Sequence, residues 1–244
     1  MRLKYDHHIH SRLSLCADDD KTPNNIVNMC LLAGYDVIAV ADHQSALNSP
    51  AVIKAGESAG LLVLPAMELC TSEEVHVLCL FETLEGALDF SAYVRERLFP
   101  IRKKPAIVWR QEIMDADDNV TGEESAYLGG ACDIGIYDVK KLIAPYGGLP
   151  IPAHIDRPSH SLLSNLGFYD EYMGYELFEV SSATTIAEFK KKRPELSGKR
   201  FITDSDAHDL TTIADAVNEL EAAERSAAAV IDALRSGAVS LTAL

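Results

Sequence analysis

The stretch with the most evident chemistry is YDHHIHSRLSLCADDD at residues 5–20, which holds three of the chain's eight histidines and then three consecutive aspartates. Side chains two positions apart on a strand point to the same side, so His8 and His10 can reach a common point. Imidazole and carboxylate together are the ligands of Zn, Mn and Fe sites. This stretch therefore predicts part of a metal site.

The elements that must position these residues follow a repeating pattern. Apolar runs and helical spacing predict strands over 1–9, 36–42, 61–69, 74–81, 149–154, 175–181 and 200–208. Helices are predicted over 22–34, 49–60, 84–98, 134–146, 159–166, 184–192 and 223–237. Repeated βα units predict a parallel sheet with right-handed crossovers, curled into a barrel.

Residues 99–133 interrupt this pattern with two prolines, several glycines and the only tryptophan, Trp109. The stretch is too long for a plain connector, and we expect an insertion or lid with little secondary structure. Its basic run, RKK at 102–104, would hold a second phosphate or form a solvated run, and we favour the latter. Trp109 would stack on a base or pack under the insertion, and we favour packing.

Histidines and acids recur where the predicted strands end or soon after, with one histidine inside the fourth strand. The carboxyl ends of the strands of a βα barrel form one face, where active sites assemble. A lone histidine there is usually an ordinary polar residue, but a set of them predicts a metal site. The set comprises His8, His10, His43, Glu68, His76, His154, Asp206 and His208.

Several of these residues lie in segments that together resemble a known family. The segments are DHHIHS, TPNNIV, VADHQS, PAMEL, VHVLCLF, IPAHIDR and SDAH, and they span about residues 3–210. In this order they resemble the polymerase-and-histidinol-phosphatase (PHP) family of metal-dependent phosphoesterases. The resemblance implies an α/β fold, a distorted (β/α)7 TIM-like barrel, with residues 1–244 as a single domain. It also implies phosphate-ester hydrolysis by a metal-activated hydroxide at a trinuclear centre.

The resemblance further implies a ligand set. His8, His10, Glu68 and Asp206 would hold the first metal, and Glu68 would bridge to a second metal bound by His76 and His154. His43 and His208 would hold the third metal with an aspartate from the first loop.

That loop aspartate departs from the family pattern. The position five residues after the second histidine of the HxH motif, which the family gives to an aspartate, is Leu15. Counting back four residues from the Thr22–Pro23 helix start selects Asp18, with Asp19 and Asp20 as alternatives.

The remaining polar residues near these motifs have supporting interpretations. His7 alternates to the other side of its strand and is interpreted as a core or supporting histidine. Asp6 and Asp42 are interpreted as carboxylates that orient ligand imidazoles.

Arg157 and His160 follow His154 and are predicted to bind substrate. The Arg157 guanidinium would fork onto phosphate oxygens, or pair with Asp156 at the surface. The predicted catalytic residues are Glu68, Asp206 and Arg157.

The composition limits the partners. Lys plus Arg is 22 and Asp plus Glu is 37, giving a formal net charge of −15, which argues against a broad nucleic-acid surface. Nucleotides and short oligonucleotides stay compatible, because bound cations reverse the local field. Five scattered cysteines without a CxxC pair predict a reduced, cytoplasmic protein. No apolar run approaches membrane-spanning length, and no obligate protein partner is evident.

We therefore expect an enzyme that uses three divalent ions (Mn, Fe or Zn) to hydrolyse phosphate esters of small metabolites, nucleotides or short oligonucleotide ends. Nucleotide-type substrates are favoured, and a histidinol-phosphatase-like activity is the alternative within the family. An amidohydrolase-like C–N hydrolase and a non-enzymatic metal-binding domain are the rival classes.

Overall fold

The computed structural model describes residues 1–101 and 110–237. The predictions for the basic run at 102–104 and for Trp109 lie outside these ranges. The strands are β1 (Arg2–Ile9), β2 (Val37–Val40), β3 (Leu62–Cys70), β4 (His76–Phe81), β5 (Glu112–Met114), β6 (Val120–Glu123), β7 (Gly148–Pro152), β8 (Leu177–Ser181), β9 (Arg200–Asp204) and β10 (Glu219–Glu221). The α-helices are α1 (Pro23–Ala33), α2 (Ser49–Ala59), α3 (Leu84–Arg95), α4 (Ile136–Ile143), α5 (Leu162–Leu166), α6 (Ile186–Lys192) and α7 (Ala227–Ser236).

Seven of these strands, β1 to β4 and β7 to β9, curl around one interior, and β10 pairs with the start of β1. The main sheet has the order β10-β1-β2-β3-β4-β7, and β8 and β9 form a parallel pair. This pair adjoins β7 where Ile155 N–H donates to Glu179 O at 2.8 Å, and β1 where His10 N–H donates to Ala207 O at 3.0 Å. The predicted distorted, TIM-like α/β barrel is confirmed.

The expectation of a parallel sheet is wrong for β4, which runs antiparallel to both β3 and β7. The connection from β3 to β4 is residues 71–75, and a parallel crossover needs a dozen residues or more. In the antiparallel register His76 lies opposite Cys70. The amino end of β4 therefore joins the carboxyl ends of its neighbours, and His76 reaches the face where the other candidate ligands lie.

The first helix forms as its sequence predicts. The Thr22 side chain accepts from Asn25 N–H, Pro23 occupies the first turn, and Gly34 ends the helix at φ +85°. The chain enters this helix directly from the loop that follows β1. The helix start thus fixes one end of that loop.

The insertion carries more structure than expected. Residues 112–114 and 120–123 form an antiparallel hairpin, β5–β6. Asn48, fully buried at the start of α2, donates to Glu112 O at 3.1 Å and accepts from Met114 N–H at 2.9 Å. These bonds hold the hairpin against the barrel.

Apolar side chains separate into layers by strand alternation. In β2, Val37 and Ala39 pack in the barrel interior, whereas Ile38 and Val40 pack under α1 and α2. Helix α7 adds apolar side chains to the interior cluster, and Arg200 at the start of β9 donates to Leu234 O. The amino ends of the strands are thereby closed, and the face at the carboxyl ends is left for a site. No helix in residues 1–101 and 110–237 is long and apolar enough to cross a membrane.

Candidate metal centre

Glu68, in β3, is the centre of a cluster of imidazoles. Its Oε1 lies 2.9 Å from His76 Nδ1, 3.1 Å from His154 Nε2 and 3.3 Å from His8 Nε2. Its other oxygen, Oε2, lies 2.8 Å from His43 Nδ1 and 3.6 Å from His10 Nε2. Each carboxylate oxygen thus faces a different group of imidazoles, as expected of a carboxylate that bridges two cations.

Asp206, just after β9, forms the second acidic point of the cluster. Its Oδ1 lies 2.9 Å from His10 Nε2, 3.4 Å from His8 Nε2 and 3.6 Å from His208 Nδ1. Among His10, His43 and His208, one ligand atom from each lies within 4.8 Å of the others. The structure thus brings together all the predicted ligands except Asp18.

The donor set fits divalent cations. His8 Nε2 and Glu68 Oε2 are buried and make no hydrogen bond of normal geometry to the described residues. Burial raises the pKa of Glu68, but the imidazoles of His76, His8 and His43 outweigh it and hold the pKa well below its usual range. A buried, ionised carboxylate ringed by imidazole nitrogens is the arrangement that transition metals occupy in proteins.

The pKa values of the imidazoles are pushed in opposite directions. Burial lowers the pKa of His10 to about 3. For His43, burial also lowers the pKa, but the charge of Glu68 outweighs it and raises the value to about 10. Close titratable groups with perturbed pKa values are typical of functional sites, so the cluster is a candidate for one.

Two buried groups that the sequence analysis missed orient the imidazoles. The carboxylate of Glu179, in β8, lies 2.8 Å from His8 Nδ1 and fixes that ring from behind. Ser14 Oγ lies 3.0 Å from His10 Nδ1 and donates to Asp42 Oδ1 at 2.7 Å. Asp42 therefore acts on His10 through a serine. Glu179 is inside a plain strand pattern, so only closure of the barrel reveals it.

Two other polar residues of the motif, Asp6 and His7, are buried in β1. The His7 ring stacks on Tyr5 at 4.5 Å, and burial lowers its pKa to about 3, so it stays neutral. Asp6 accepts from the main-chain N–H groups of His8 and Ser205, each at 3.2 Å. It holds the main chain of two neighbouring strands rather than an imidazole.

The aspartates of the first loop do not reach the cluster. Asp18, Asp19 and Asp20 are exposed, and their side chains are absent from the wall of the cavity at the cluster. Asp18 uses its main chain instead, because its N–H donates to His208 O at 3.0 Å. The loop residue that lines the cavity is Cys16. Partial burial at the cavity wall raises the pKa of the Cys16 thiol, but hydrogen bonds with His208 and His43 outweigh it and lower the value to about 7.

Arg157 and His160, which the sequence predicts to bind substrate, line the cavity beside the cluster. Arg157 donates to Asp206 Oδ2. Asp156, the alternative partner of Arg157, instead accepts from Ser181 N–H and Ser181 Oγ, both at 2.7 Å. The His160 ring stacks on His76 at 4.7 Å.

Several strained backbone positions lie at this face. Of the six non-glycine residues with positive φ in the described part of the chain, four are beside or within the cluster: Gln44 (55°), His154 (29°), His160 (54°) and Asp206 (50°). Such angles cost about 1–3 kcal/mol each in non-glycine residues and persist where the surrounding structure enforces them.

The cluster opens to solvent through a cavity of about 220 Å³, lined by Glu68, Arg157, Asp206 and the imidazoles of His43, His76, His154, His160 and His208. A larger cavity of about 830 Å³ lies between α6 and β9, and none of the candidate ligands lines it. Of these two cavities, only the smaller one is lined by candidate metal ligands.

Comparison with known proteins gives a family-model match over part of the chain and several solved structures of similar fold. Residues 195–239 match a family model described as PHP-associated. No curated protein matches the chain significantly by sequence. The lesion-specific endonuclease PfuEndoQ from Pyrococcus furiosus superimposes with a TM-score of 0.72 at 17% identity, covering 97% of this chain and 56% of that chain. A complex of endonuclease Q with a 27-mer duplex bearing an abasic lesion gives the same TM-score and identity, covering 97% and 57%.

Two shorter proteins have the same fold. A protein from Bifidobacterium adolescentis described as a metal-dependent phosphoesterase gives a TM-score of 0.57 at 20% identity, covering 84% of this chain and 87% of that chain. An amidohydrolase from Chromobacterium violaceum gives 0.59 at 17% identity, covering 87% and 90%. The chain thus spans little more than half the length of the endonuclease Q chains that it matches.

Fold and cluster define a histidine-rich barrel with a candidate metal centre at the carboxyl ends of its strands. The chain has the fold of the PHP-type metal-dependent phosphoesterases, and the resemblance predicted from its sequence is confirmed.

Proposed function

We propose that the protein is a metal-dependent phosphoesterase whose centre holds three divalent ions. The observation that carries the proposal is the geometry at Glu68, whose Oε1 faces His76 and His154 and whose Oε2 faces His10. His8 also faces Oε1, at 3.3 Å, and lies 3.4 Å from Asp206 Oδ1. Glu68 would bridge two ions, one near His8, His10 and Asp206 and the other near His76 and His154. His43 and His208 would hold the third.

Divalent ions bound here would offset phosphate charge and lower the pKa of bound water toward neutrality. The chain's own residues would orient the substrate. Arg157 lies beside Asp206 with its guanidinium at the cavity, where it would donate to phosphate oxygens that do not face the ions. His160, stacked on His76 at the cavity wall, would contact the group esterified to the phosphate.

The substrate class that we propose is a nucleotide or the end of a short oligonucleotide. The structural similarity to endonuclease Q, which is described in complex with a DNA duplex, supports this class. The net charge of −15 argues against a long nucleic-acid track, because a polyanion needs an extended basic surface. A small cavity with one arginine suits a single phosphate better than a duplex.

An amidohydrolase-like activity is the second candidate, because an amidohydrolase shares the fold. Both chemistries need an activated water at a cluster of imidazoles. Only phosphate-ester hydrolysis releases phosphate or a new hydroxyl end, so the product separates the two.

The test is a panel of substrates assayed with Mn²⁺, Fe²⁺ or Zn²⁺ added to metal-depleted protein. The panel contains nucleoside monophosphates, short oligonucleotides with terminal phosphates, histidinol phosphate and N-acyl amino acids. We expect metal-dependent hydrolysis of nucleotide-type esters, abolished by a chelator and restored by metal. Amide hydrolysis without phosphate-ester hydrolysis would overturn the proposal.

We also propose a cytoplasmic location, which the five free cysteines support.

A further inference from the structure

Cys16 differs from the other cysteines of the chain in where it lies. Cys30, Cys70, Cys79 and Cys132 are buried, whereas Cys16 is exposed on the loop after β1. There it lines the cavity at the cluster together with His43 and His208. Its thiol is within hydrogen-bonding reach of both imidazoles.

The fold of the loop explains this placement. Ser14 N–H donates to Ser11 O at 2.9 Å, and Ala17 N–H donates to Ser14 O at 3.0 Å, so the chain makes two successive tight turns. Asp18 N–H then bonds His208 O at 3.0 Å and ties the chain to the loop that carries His208. Cys16 lies between these bonds and faces the cavity, while the Asp18 side chain is left in solvent.

We propose that the thiolate of Cys16 is the third protein ligand of the ion held by His43 and His208, in the role that the sequence pattern assigns to Asp18. The inference rests on the proposed metal centre but not on its substrate. On binding, the sulfur–metal bond forms and the thiol proton passes to solvent. His10 also lies near the proposed position of this ion, because one ligand atom each of His10, His43 and His208 lies within 4.8 Å of the others.

A thiolate in this position changes which metal the site prefers. Sulfur with imidazole favours Zn²⁺ or Co²⁺, whereas carboxylate and water favour Mn²⁺ or Mg²⁺. We therefore expect this position to select a softer ion than a site with an aspartate would.

Cobalt substitution tests the ligand directly. Co²⁺ bound to a thiolate gives an intense near-ultraviolet charge-transfer band that is absent with nitrogen and oxygen ligands alone. Metal-depleted protein titrated with Co²⁺ should develop this band, Cys16→Ser should lose it, and Asp18→Asn should keep it. Cys70→Ala is the matched control and should keep the band. It is needed because Cys70, His76 and His160 also lie close enough to share an ion, and a band from that group would be lost in this variant.

Each outcome bears on a different claim. A band that survives in Cys16→Ser, or cobalt bound without any band, overturns the role of Cys16 and leaves the proposed function standing. Elemental analysis showing no bound cobalt overturns the proposed metal centre as well. Loss of metal in Asp18→Asn with the band unchanged in Cys16→Ser would return the role to Asp18.

Alkylation of the unmodified protein supplies a second measurement that needs no variant. Native protein treated with iodoacetamide should gain one label, on Cys16, because the other four thiols are buried. Saturating Zn²⁺ should slow this labelling at least tenfold, as read by mass spectrometry of the digested protein. Equal labelling rates with and without bound Zn²⁺ would contradict the proposal.

Discussion

At the scale of single residues, Glu68 is the carboxylate at the middle of the candidate metal centre. It is about 1% exposed, and five imidazoles approach its two oxygens. An ionised carboxylate at this depth is stable only when opposite charges or hydrogen bonds compensate it. The surrounding imidazoles supply this compensation, and bound cations would add to it.

Replacing Glu68 with alanine should remove the bridge between two ions. We expect turnover to fall by several orders of magnitude and bound metal to fall from close to three ions per chain, since both bridged ions lose a ligand. Elemental analysis and steady-state kinetics check this. Circular dichroism controls for folding, and full metal content in the variant would refute the bridging role.

Glu179 offers a finer test, because it contacts the candidate ligand His8 and does not line the cavity. Glu179→Gln should keep a hydrogen bond to His8 but lose the negative charge that raises the ring's basicity. Metal affinity should fall about 10- to 100-fold, the usual cost of losing such a support. Metal titration measures it, with Glu176→Gln as the control, since Glu176 pairs with Lys199 on the outside of the barrel. Equal affinities in the two variants would count against an orienting role.

Arg157 is expected to act on the substrate. Arg157→Ala should lower kcat/KM by about 10²-fold, which corresponds to roughly 2.7 kcal/mol of transition-state stabilisation. Arg157→Lys keeps the charge but loses the fork and should raise KM. Metal content should not change in either variant. Unchanged kcat/KM in Arg157→Ala would leave the residue only its bond to Asp206.

The histidines and acids of the cluster could be selected from the sequence because their types recur near strand ends, whereas the choice of Asp18 placed a residue in the cluster that the structure leaves outside it. Glu179, Ser14 and Cys16 could not be selected in this way. Glu179 is one acid within an ordinary strand, and its approach to His8 depends on β8 closing against β7. Cys16 reaches the cavity because its loop makes two tight turns and is then tied to a second loop. The tie is the hydrogen bond from Asp18 N–H to His208 O, which joins residues about 190 positions apart in sequence. No local pattern carries such information.

At the scale of elements, caps and apolar periodicity predicted most helices and strands, but direction and pairing depended on connection length. The five-residue link between β3 and β4 permits only an antiparallel pair. This reversal is what places His76 at the shared face. The hairpin in the insertion was missed because its strands are short and mostly polar, so they carry little alternation.

The hairpin should depend on Asn48. Asn48→Ala would leave Met114 N–H and Glu112 O without their partner, and unsatisfied buried groups cost about 1–3 kcal/mol each. We expect the free energy of unfolding to fall by about 2–4 kcal/mol, measured by urea denaturation. Asn25→Ala, at an exposed position of α1, serves as the control and should change stability by less than about 1 kcal/mol. Equal stability of the two variants would show that the hairpin is held by other contacts.

At the scale of the whole molecule, the carboxyl ends of the barrel strands bring acids and imidazoles together at one face, where divalent cations would compensate the acidic charge. The similarity to endonuclease Q covers 97% of the chain at 17% identity, so the arrangement of the barrel persists where most residues differ. A similarity this distant does not show which side chains the loops place at the cavity. In this chain, the loop after β1 places Cys16 there.

Metal binding should therefore stabilise the whole fold, and more so at higher pH. A ligand at about 100 times its Kd stabilises the native state by about 2.7 kcal/mol, which for a chain of this size raises Tm by roughly 5–10 °C. Burial lowers the pKa of His43, but Glu68 outweighs it and raises the value to about 10, so an incoming ion must displace a proton there. Below that pKa, proton release makes binding tighter as pH rises, by about tenfold per pH unit for each proton displaced. At a fixed subsaturating Zn²⁺ concentration, the rise in Tm over metal-depleted protein should be larger at pH 8 than at pH 6. Differential scanning calorimetry measures both, and Glu68→Ala should show a much smaller rise at either pH. A rise of equal size in that variant would place the stabilising ion elsewhere on the molecule.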